Sequence, residues 1–220
     1  METKNYVVMG CGRFGLAIAK TLFELGHEVL AIDVKEELVQ SVIDQVTHAV
    51  QADCTDEYTL KSLGIGNFDV AVVCIGEDFE ASIMATILVK EMGIPYVLCK
   101  ASDERQAKVL YKIGADRVVF PERDMGVHTA HRLTSKNILE YIALDSQHSV
   151  AEVELPESWS GKNLQQLNLR MDYGVNVIAL RRGNRMQIAL DPKEVFQSQD
   201  ILVLIGRIEN IERIEHLEEE

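Results

Sequence analysis

Short apolar runs alternate with amphipathic stretches between residues 6 and 120. Apolar positions three and four apart predict helices, and apolar runs that end at glycine or polar residues predict strands. The run at 69–75 is almost wholly apolar, which is typical of a strand buried on both faces of a parallel sheet. The predicted strands are 6–9, 28–32, 47–51, 69–75, 96–99 and 118–120. This alternation predicts an α/β fold, a Rossmann-like doubly wound parallel sheet.

The pattern changes in the last third of the chain. Residues 125–141 predict one amphipathic helix, and the alternation of apolar and polar residues at 150–155 is typical of a half-buried strand. Gly183-Asn184 predicts a hairpin turn. Further strands are predicted at 175–180, 186–190 and 201–205, and a closing helix at 208–217. We therefore expect a smaller C-terminal α+β domain, with domains at 1–143 and 144–220.

A glycine-rich turn follows the first predicted strand. Gly10 permits a tight turn, Gly12 lets a phosphate approach the backbone, and Gly15 lets helix and strand pack closely. The helix that follows presents free N–H groups to an anion. Asp33 ends the second strand, where a carboxylate accepts hydrogen bonds from a ribose diol. The sequence predicts a nucleotide site, and the alternative is a glycine-rich turn in another kind of α/β protein.

Composition narrows the class of protein. The 220 residues carry a net charge of −13, which argues against binding a nucleic-acid polymer or an anionic lipid surface. The longest apolar stretch, 70–75, is far below the roughly 20 residues of a membrane span. The first residues, METKN, do not resemble an export signal. Four cysteines form no CxxC pair, so we expect reduced, semi-buried thiols in a cytosolic protein.

Five local sequences resemble those of RCK (KTN) proteins, the cytosolic regulatory subunits of bacterial Ktr/Trk-type potassium uptake systems. They are GCGRFG at 10–15, GHEVLAID at 26–33, ADCTDEYTLKSLGIGNFDVAVVCIG at 52–76, VLCKAS at 97–102 and VLYKIGADRVVFPERDMG at 109–126. The last is the most discriminating, because Gly114-Ala115-Asp116 followed by Pro121-Glu122 has no role in a generic dehydrogenase. The sequence LNLRMDYGVNVIAL at 167–180 is similar to the family's C-terminal regulatory module.

The resemblance implies a nucleotide-gated ring rather than an enzyme. The family's Rossmann domains bind ATP or ADP, and some members bind NAD(H). Homodimers assemble into a homo-octamer beneath a membrane potassium-translocating subunit, so the chain is expected in the cytoplasm, peripheral to the inner face of the cell membrane. ATP favours the active arrangement and ADP the inactive one. The C-terminal domains dimerise and, in several relatives, bind cyclic di-AMP, which inhibits transport.

Three charged residues are assigned to the phosphate end by the resemblance. Arg13 matches the residue that reaches the terminal phosphate of ATP, since a guanidinium holds phosphate oxygens bidentately; the alternative is a solvated arginine. Glu122 matches a carboxylate at the dimer interface that helps bind Mg²⁺, Ca²⁺ or Na⁺. The alternative for Glu122 is a carboxylate of a helix first turn. Lys100 matches a basic residue at the crevice edge, with a solvated lysine as the alternative.

The nucleoside end is assigned in the same way. Asp33 matches the ribose-binding acid, with a bare helix cap as the alternative. Asp53 and Cys54 match the loop that contacts adenine, although Asp53 is equally suited to cap the next helix. Ile75 and Gly76 match the strand end against which the nucleotide lies. The other predicted lining residues are Phe14, Val34 and Lys35. In the C-terminal domain, Asn168, Arg170 and Pro192 are the candidates for the cyclic di-AMP region.

Two other functions use the same βαβ unit: a small NAD(H)-dependent oxidoreductase and an NAD(H) redox sensor. Against the oxidoreductase, the compact C-terminal module offers no convincing acid/base pair. His128 and His131 are three residues apart on a predicted helix, but no third ligand accompanies them at a diagnostic spacing. We therefore expect surface or interface histidines there.

Overall fold

A computed structural model describes residues 3–134, 138–145, 147–188, 190–215 and 217. The strands are β1 Asn5–Met9, β2 Glu28–Asp33, β3 His48–Gln51, β4 Val70–Val73, β5 Tyr96–Lys100, β6 Arg117–Val119, β7 Ile138–Ala143, β8 His148–Glu154, β9 Val175–Arg182, β10 Arg185–Ile188 and β11 Ile201–Arg207. The α-helices are α1 Arg13–Glu24, α2 Glu36–Val42, α3 Glu57–Ser62, α4 Phe79–Glu91, α5 Glu104–Lys112, α6 Pro121–Thr134, α7 Leu164–Leu167, α8 Leu169–Asp172 and α9 Ile208–Glu215. Among these, no helix is long and apolar enough to cross a membrane.

Six strands form a parallel sheet in the order β3-β2-β1-β4-β5-β6. Both faces are covered, because Val7 and Met9 of β1 belong to one apolar cluster and Val8 to another. All three are fully buried, which explains why the central strands are continuous apolar runs. The predicted Rossmann-like sheet is confirmed, and the strand order reverses between β1 and β4.

Aspartates cap the helices that follow the later strands. Asp56 accepts a hydrogen bond from the Tyr58 N–H at the start of α3. Asp78 caps α4 and Asp103 caps α5 in the same way. Each carboxylate satisfies a backbone N–H that has no partner within its helix.

The helix predicted over 125–141 is wrong in its second half. Helix α6 ends at Thr134, and residues 138–143 form strand β7, which pairs antiparallel with β8. The apolar spacing of this segment suits either a helix or a strand, and pairing across the sheet selects the strand. The chain divides by internal contacts into Met1–Asp124 and Met125–Glu220, earlier than the expected boundary near residue 143.

The second unit contains a five-stranded antiparallel sheet in the order β10-β9-β11-β8-β7. Its core includes Trp159, Leu180 and Phe196, and the Trp159 ring meets Tyr173 edge-on at 5.4 Å between centroids. The predicted hairpin joins β9 and β10, with Gly183 at φ +57°. The smaller α+β domain is therefore confirmed.

An ion pair between a buried aspartate and a partly exposed arginine anchors the loop before β11. Arg182 donates to both carboxylate oxygens of Asp200, at 2.8 and 2.7 Å, and to Glu194 at 3.1 Å. Asp200 is buried and also accepts the Gln197 N–H at 2.8 Å. Burial by itself raises the pKa of Asp200, but the hydrogen bonds from Arg182 and Gln197 outweigh it, and the net pKa is lowered.

We expect Asp200→Asn to lower the free energy of unfolding at pH 7 by about 2 kcal/mol, because it removes the charge that faces Arg182. The folded pKa of Asp200 lies below its unfolded value, so its contribution is complete above about pH 4 and is lost as pH falls through the folded pKa. Urea unfolding at pH 7 and at lower pH measures this difference. Glu194→Gln, at the more exposed partner of the same arginine, is the control and should cost less. A difference that persists unchanged in acid would contradict the assignment.

Candidate nucleotide-binding site

A cleft of about 640 Å³ lies at the carboxyl ends of the parallel strands. The turn after β1, the ends of β2 and β5, the segments after β3 and β4, and the start of α6 all contribute to it. This is the edge where open α/β sheets bind ligands, at the reversal of strand order. Every nucleotide-site residue predicted in the first domain lines this cleft: Gly10, Gly12, Arg13, Phe14, Gly15, Asp33, Val34, Lys35, Asp53, Cys54, Ile75, Gly76, Lys100 and Glu122.

The three glycines have different surroundings. Gly10 has φ +96°, and a Cβ there would lie 3.0 Å from the Cys74 carbonyl carbon. A Cβ on Gly15 would lie 1.9 Å from the Gly10 carbonyl oxygen, so helix and turn are too close for any side chain. At Gly12 a Cβ would meet nothing within 4 Å. Gly10 and Gly15 are therefore required by the fold, whereas the space beside Gly12 is open to a ligand.

Asp33 ties the glycine turn to the end of β2. Its Oδ2 accepts the Cys11 N–H at 2.6 Å, and its Oδ1 accepts the Lys35 N–H at 2.9 Å. The side chain is only 8% exposed, and these two N–H groups offset the cost of burying it. Asp33 does not cap the following helix, whose N-cap is Lys35 without a side-chain capping bond; it holds the turn, and it lines the cleft.

One part of the cleft combines two basic side chains, Arg13 and Lys100, with the Glu122 carboxylate. Lys100 Nζ donates to Glu122 Oε1 at 2.5 Å, and the lysine side chain is 16% exposed. The hydrogen bond from Lys100 lowers the pKa of Glu122, and the positive charge of Arg13 lowers it further. A solvated Lys100 is thus excluded. Glu122 lies in the first turn of α6, so both interpretations of that carboxylate are compatible with its position.

The segment after β3 also lines the cleft. Asp53 Oδ1 accepts the Thr55 N–H at 2.8 Å and the Thr55 hydroxyl at 2.7 Å. Asp56, not Asp53, caps α3, so the capping alternative for Asp53 is wrong. The Asp53 carboxylate is exposed at the cleft and is suited to accept from an exocyclic amine.

The thiols around the cleft are protonated at neutral pH. All four cysteines are buried rather than semi-buried, and none is in a disulfide. Burial, with Asp33 nearby, raises the pKa of Cys11 and of Cys54 to about 12, and burial raises that of Cys74 to about 12. A protonated thiol is neither a nucleophile nor a strong metal ligand, so Cys54 and Cys74, which line the cleft, serve as apolar lining.

Sequence reasoning missed several lining residues of the cleft. They are Glu37, Leu38, Thr55, Cys74, Glu77, Asp78 and Ala81. Thr55 and Glu77 directly follow the predicted site residues Cys54 and Gly76, and that adjacency at strand ends was the available signal. Glu77 pairs with Lys35 at 3.3 Å, which links two segments that are far apart in the sequence.

The cyclic di-AMP candidates lie in the second unit, on an exposed corner. Asn168, at φ +44°, joins α7 to α8, and Arg170 lies on α8. The Pro192 carbonyl accepts the Gln165 N–H at 3.3 Å, which brings its loop beside α7. All three residues are exposed, and their assignment to a ligand stays a prediction.

A cation at the cleft would need ligands from outside the chain. Within the part of the chain that the structure describes, no group of three or more His, Cys, Asp or Glu side chains is placed to hold a metal ion. Glu122 alone offers one carboxylate, so a cation there would be shared with ligand phosphates. His128 is half-buried on α6, and the side chain of His131 lies outside the described residues.

Fold and site together define the class: a Rossmann-type nucleotide-binding domain followed by a small α+β domain. Residues 6–121 match the TrkA-N domain and residues 150–218 the TrkA-C domain. The chain is 42% identical over 212 residues to "Ktr system potassium uptake protein C" of Bacillus subtilis (strain 168), covering 96% of both chains. The chain therefore belongs to the Ktr family of potassium uptake proteins. This relationship confirms the prediction that the chain is a potassium-uptake protein rather than an enzyme.

Solved structures agree on the fold. The GsuK RCK domain superposes with a TM-score of 0.67 at 16% identity, over 100% of this chain and 48% of the solved chain. The GsuK channel bound to NAD gives a TM-score of 0.54 at 23% identity, over 98% of this chain and 38% of that chain. This chain thus spans about half, or less, of the length of these structural neighbours.

We expect Gly15→Ala to destabilise the first unit by about 3 kcal/mol, because its methyl group would overlap the Gly10 carbonyl oxygen. Gly12→Ala is the matched control. With open space around it, the same methyl group should change stability by less than about 1 kcal/mol. Chemical denaturation of both variants measures the difference. Equal losses would show that the close approach of turn and helix is not what requires Gly15.

Proposed function

We propose that this protein is the cytosolic, nucleotide-gated regulatory subunit of a potassium uptake system. It binds ATP and ADP in the first-domain cleft and acts on a membrane potassium-translocating subunit, at the inner face of the cell membrane. The observation that carries this proposal is the cleft itself. It joins an open glycine turn, a buried ribose-binding acid and two cations within a chain of the Ktr family.

The nucleoside end supports an adenine nucleotide. The Asp33 carboxylate has one backbone N–H on each oxygen and retains lone pairs for a ribose diol. Asp53 offers a carboxylate to the exocyclic amine of adenine. Both contacts are common to ATP, ADP and NAD(H), so the choice among them falls to the phosphate end.

The phosphate end supports a role for the third phosphate. Arg13 and Lys100 both line the cleft, and Arg13 is close enough to Glu122 to lower the pKa of its carboxyl group. A ligand shifts a conformational equilibrium only through contacts that differ between the two states. The terminal phosphate of ATP adds charge that ADP lacks, and these residues are placed to respond to it.

The charge of the cleft supports a cation beside the phosphates. Its lining includes three basic side chains, Arg13, Lys35 and Lys100, and six acidic ones, Asp33, Glu37, Asp53, Glu77, Asp78 and Glu122. A polyanionic ligand in such a surrounding is stabilised by Mg²⁺, Ca²⁺ or Na⁺. We propose Glu122 as the residue that holds this ion together with the phosphates.

The proposed assembly and the second proposed ligand, cyclic di-AMP, are those expected for the family. We propose a homodimer that assembles into a homo-octameric ring, and inhibition by cyclic di-AMP at the C-terminal domain. The exposed corner with Asn168, Arg170 and Pro192 supports the second proposal, because a guanidinium there is available to a phosphate.

Calorimetric titration of nucleotide-stripped protein with ATP, ADP and NADH, each with and without Mg²⁺, tests the proposal. We expect ATP and ADP to bind with similar affinity in the absence of the ion and Mg²⁺ to strengthen ATP binding more. Glu122→Gln should abolish the effect of Mg²⁺. Strong NADH binding with negligible ATP binding would instead favour an NAD(H) redox sensor, and steady hydride transfer to small carbonyl substrates would favour an oxidoreductase.

Arg13→Ala should erase most of the ATP preference while leaving ADP affinity within about threefold of wild type, because the guanidinium serves the terminal phosphate. Asp33→Ala is the contrasting variant and should weaken ATP, ADP and NADH alike, because all three carry the ribose diol. Equilibrium titrations with Mg²⁺ present measure both. An unchanged ratio of ATP to ADP affinity in Arg13→Ala would remove that residue from the proposed role.

A further inference from the structure

One ion pair in the cleft joins a nearly buried cation to an exposed anion. Lys100 Nζ and Glu122 Oε1 are 2.5 Å apart, and the side chains are 16% and 70% exposed. A sheltered ammonium requires a partner, because it has exchanged most of its water for protein. The exposed carboxylate has no such requirement and can return to solvent at little cost. Breaking the pair is therefore costly for the Lys100 ammonium and costs the Glu122 carboxylate little.

The ammonium lies at the place where a phosphate would arrive. Lys100 ends β5, and a Cβ on Gly76, just beyond β4, would lie 3.4 Å from Lys100 Nζ. The glycine turn after β1 lines the same cleft. In a sheet with this strand order, ligand phosphates bind at the turn after β1, beside the ends of β1 and β4. Glu122 thus pairs with the Lys100 ammonium, the group that a ligand phosphate would contact.

We propose that Glu122 is an internal anion that a ligand phosphate displaces from Lys100, and that this exchange frees the carboxylate to share a cation with the phosphate. This inference rests on the proposed function and adds a regulatory contact to it. The ammonium has three N–H donors, so it can contact both groups during the exchange. Phosphate and carboxylate repel each other, and the repulsion is relieved when the carboxylate turns to solvent or a cation enters between them.

The exchange predicts non-additive effects on affinity. In EDTA, Glu122→Gln should tighten ADP binding by about fivefold, because the competitor for Lys100 has lost its charge. Lys100→Met should weaken ADP binding. In the Lys100→Met background, Glu122→Gln should change the affinity by less than about twofold, because there is no ammonium left to compete for. Isothermal titration of the four proteins at low salt measures this cycle.

Glu77→Gln is the matched control, because it also removes one negative charge from the cleft lining. Glu77 pairs with Lys35 rather than Lys100, so its effect on ADP affinity should be the same in both Lys100 backgrounds. Equal tightening by Glu122→Gln in both backgrounds would reduce its role to general repulsion and overturn the exchange. No tightening in the wild-type background would overturn it as well.

Folding and the identity of the ligand are controlled separately. Far-UV circular dichroism and thermal unfolding check each variant, and Lys100→Gln replaces Lys100→Met in the cycle if the latter unfolds. The cycle is repeated with inorganic pyrophosphate. If neither ATP nor ADP binds but the pyrophosphate cycle is non-additive, the proposed function fails and the exchange stands. If ATP and ADP bind but both cycles are additive, the exchange alone fails; binding of neither ADP nor pyrophosphate overturns both.

Discussion

The carboxylate of Asp33 is the contact on which the geometry of the cleft depends. It binds the Cys11 N–H from the glycine turn and the Lys35 N–H from the start of the next connection, while the Gly10 N–H donates to the Ile32 carbonyl at 2.8 Å. The glycine turn and the end of β2 are therefore one rigid piece. A charge with so little exposure would be costly without these donors, so the fold and the proposed ligand site use the same carboxylate.

Local charge, rather than net charge, gives the cleft its chemistry. The chain carries −13, and acidic side chains also outnumber basic ones around the cleft. The long-range field therefore repels a nucleotide, and binding must rest on short-range donors: backbone N–H groups of the turn, Arg13 and Lys100. Nucleotide affinity should therefore depend on the metal ions in solution and on each of the two basic side chains. Sensitivity of that kind suits the proposed discrimination between ATP and ADP.

Local patterns predicted the first unit well, because each element there carries its own signal. The apolar strands, the glycine turn and Asp33 are all recognisable within a few residues of one another. Strand β7 was missed because pairing with β8, and not its own spacing, decides its conformation. The Lys100–Glu122 pair was beyond local reasoning for a similar reason. The two residues were placed separately in one site, but their contact spans 22 positions and follows only from the adjacency of β5 and β6.

The most discriminating stretch of sequence, 109–126, contains two acids with different tasks. Asp116 Oδ2 accepts both the Val97 N–H at 2.7 Å and the Lys90 ammonium at 3.1 Å, so it fastens the loop before β6 to β5. Glu122 pairs with a lysine too, but it does so through an exposed side chain at the cleft. A carboxylate held by a backbone N–H of the sheet is fixed with the sheet, whereas an exposed carboxylate paired with a lysine side chain exchanges partners more easily. One family signature thus combines an acid that the fold requires with an acid that a ligand can move.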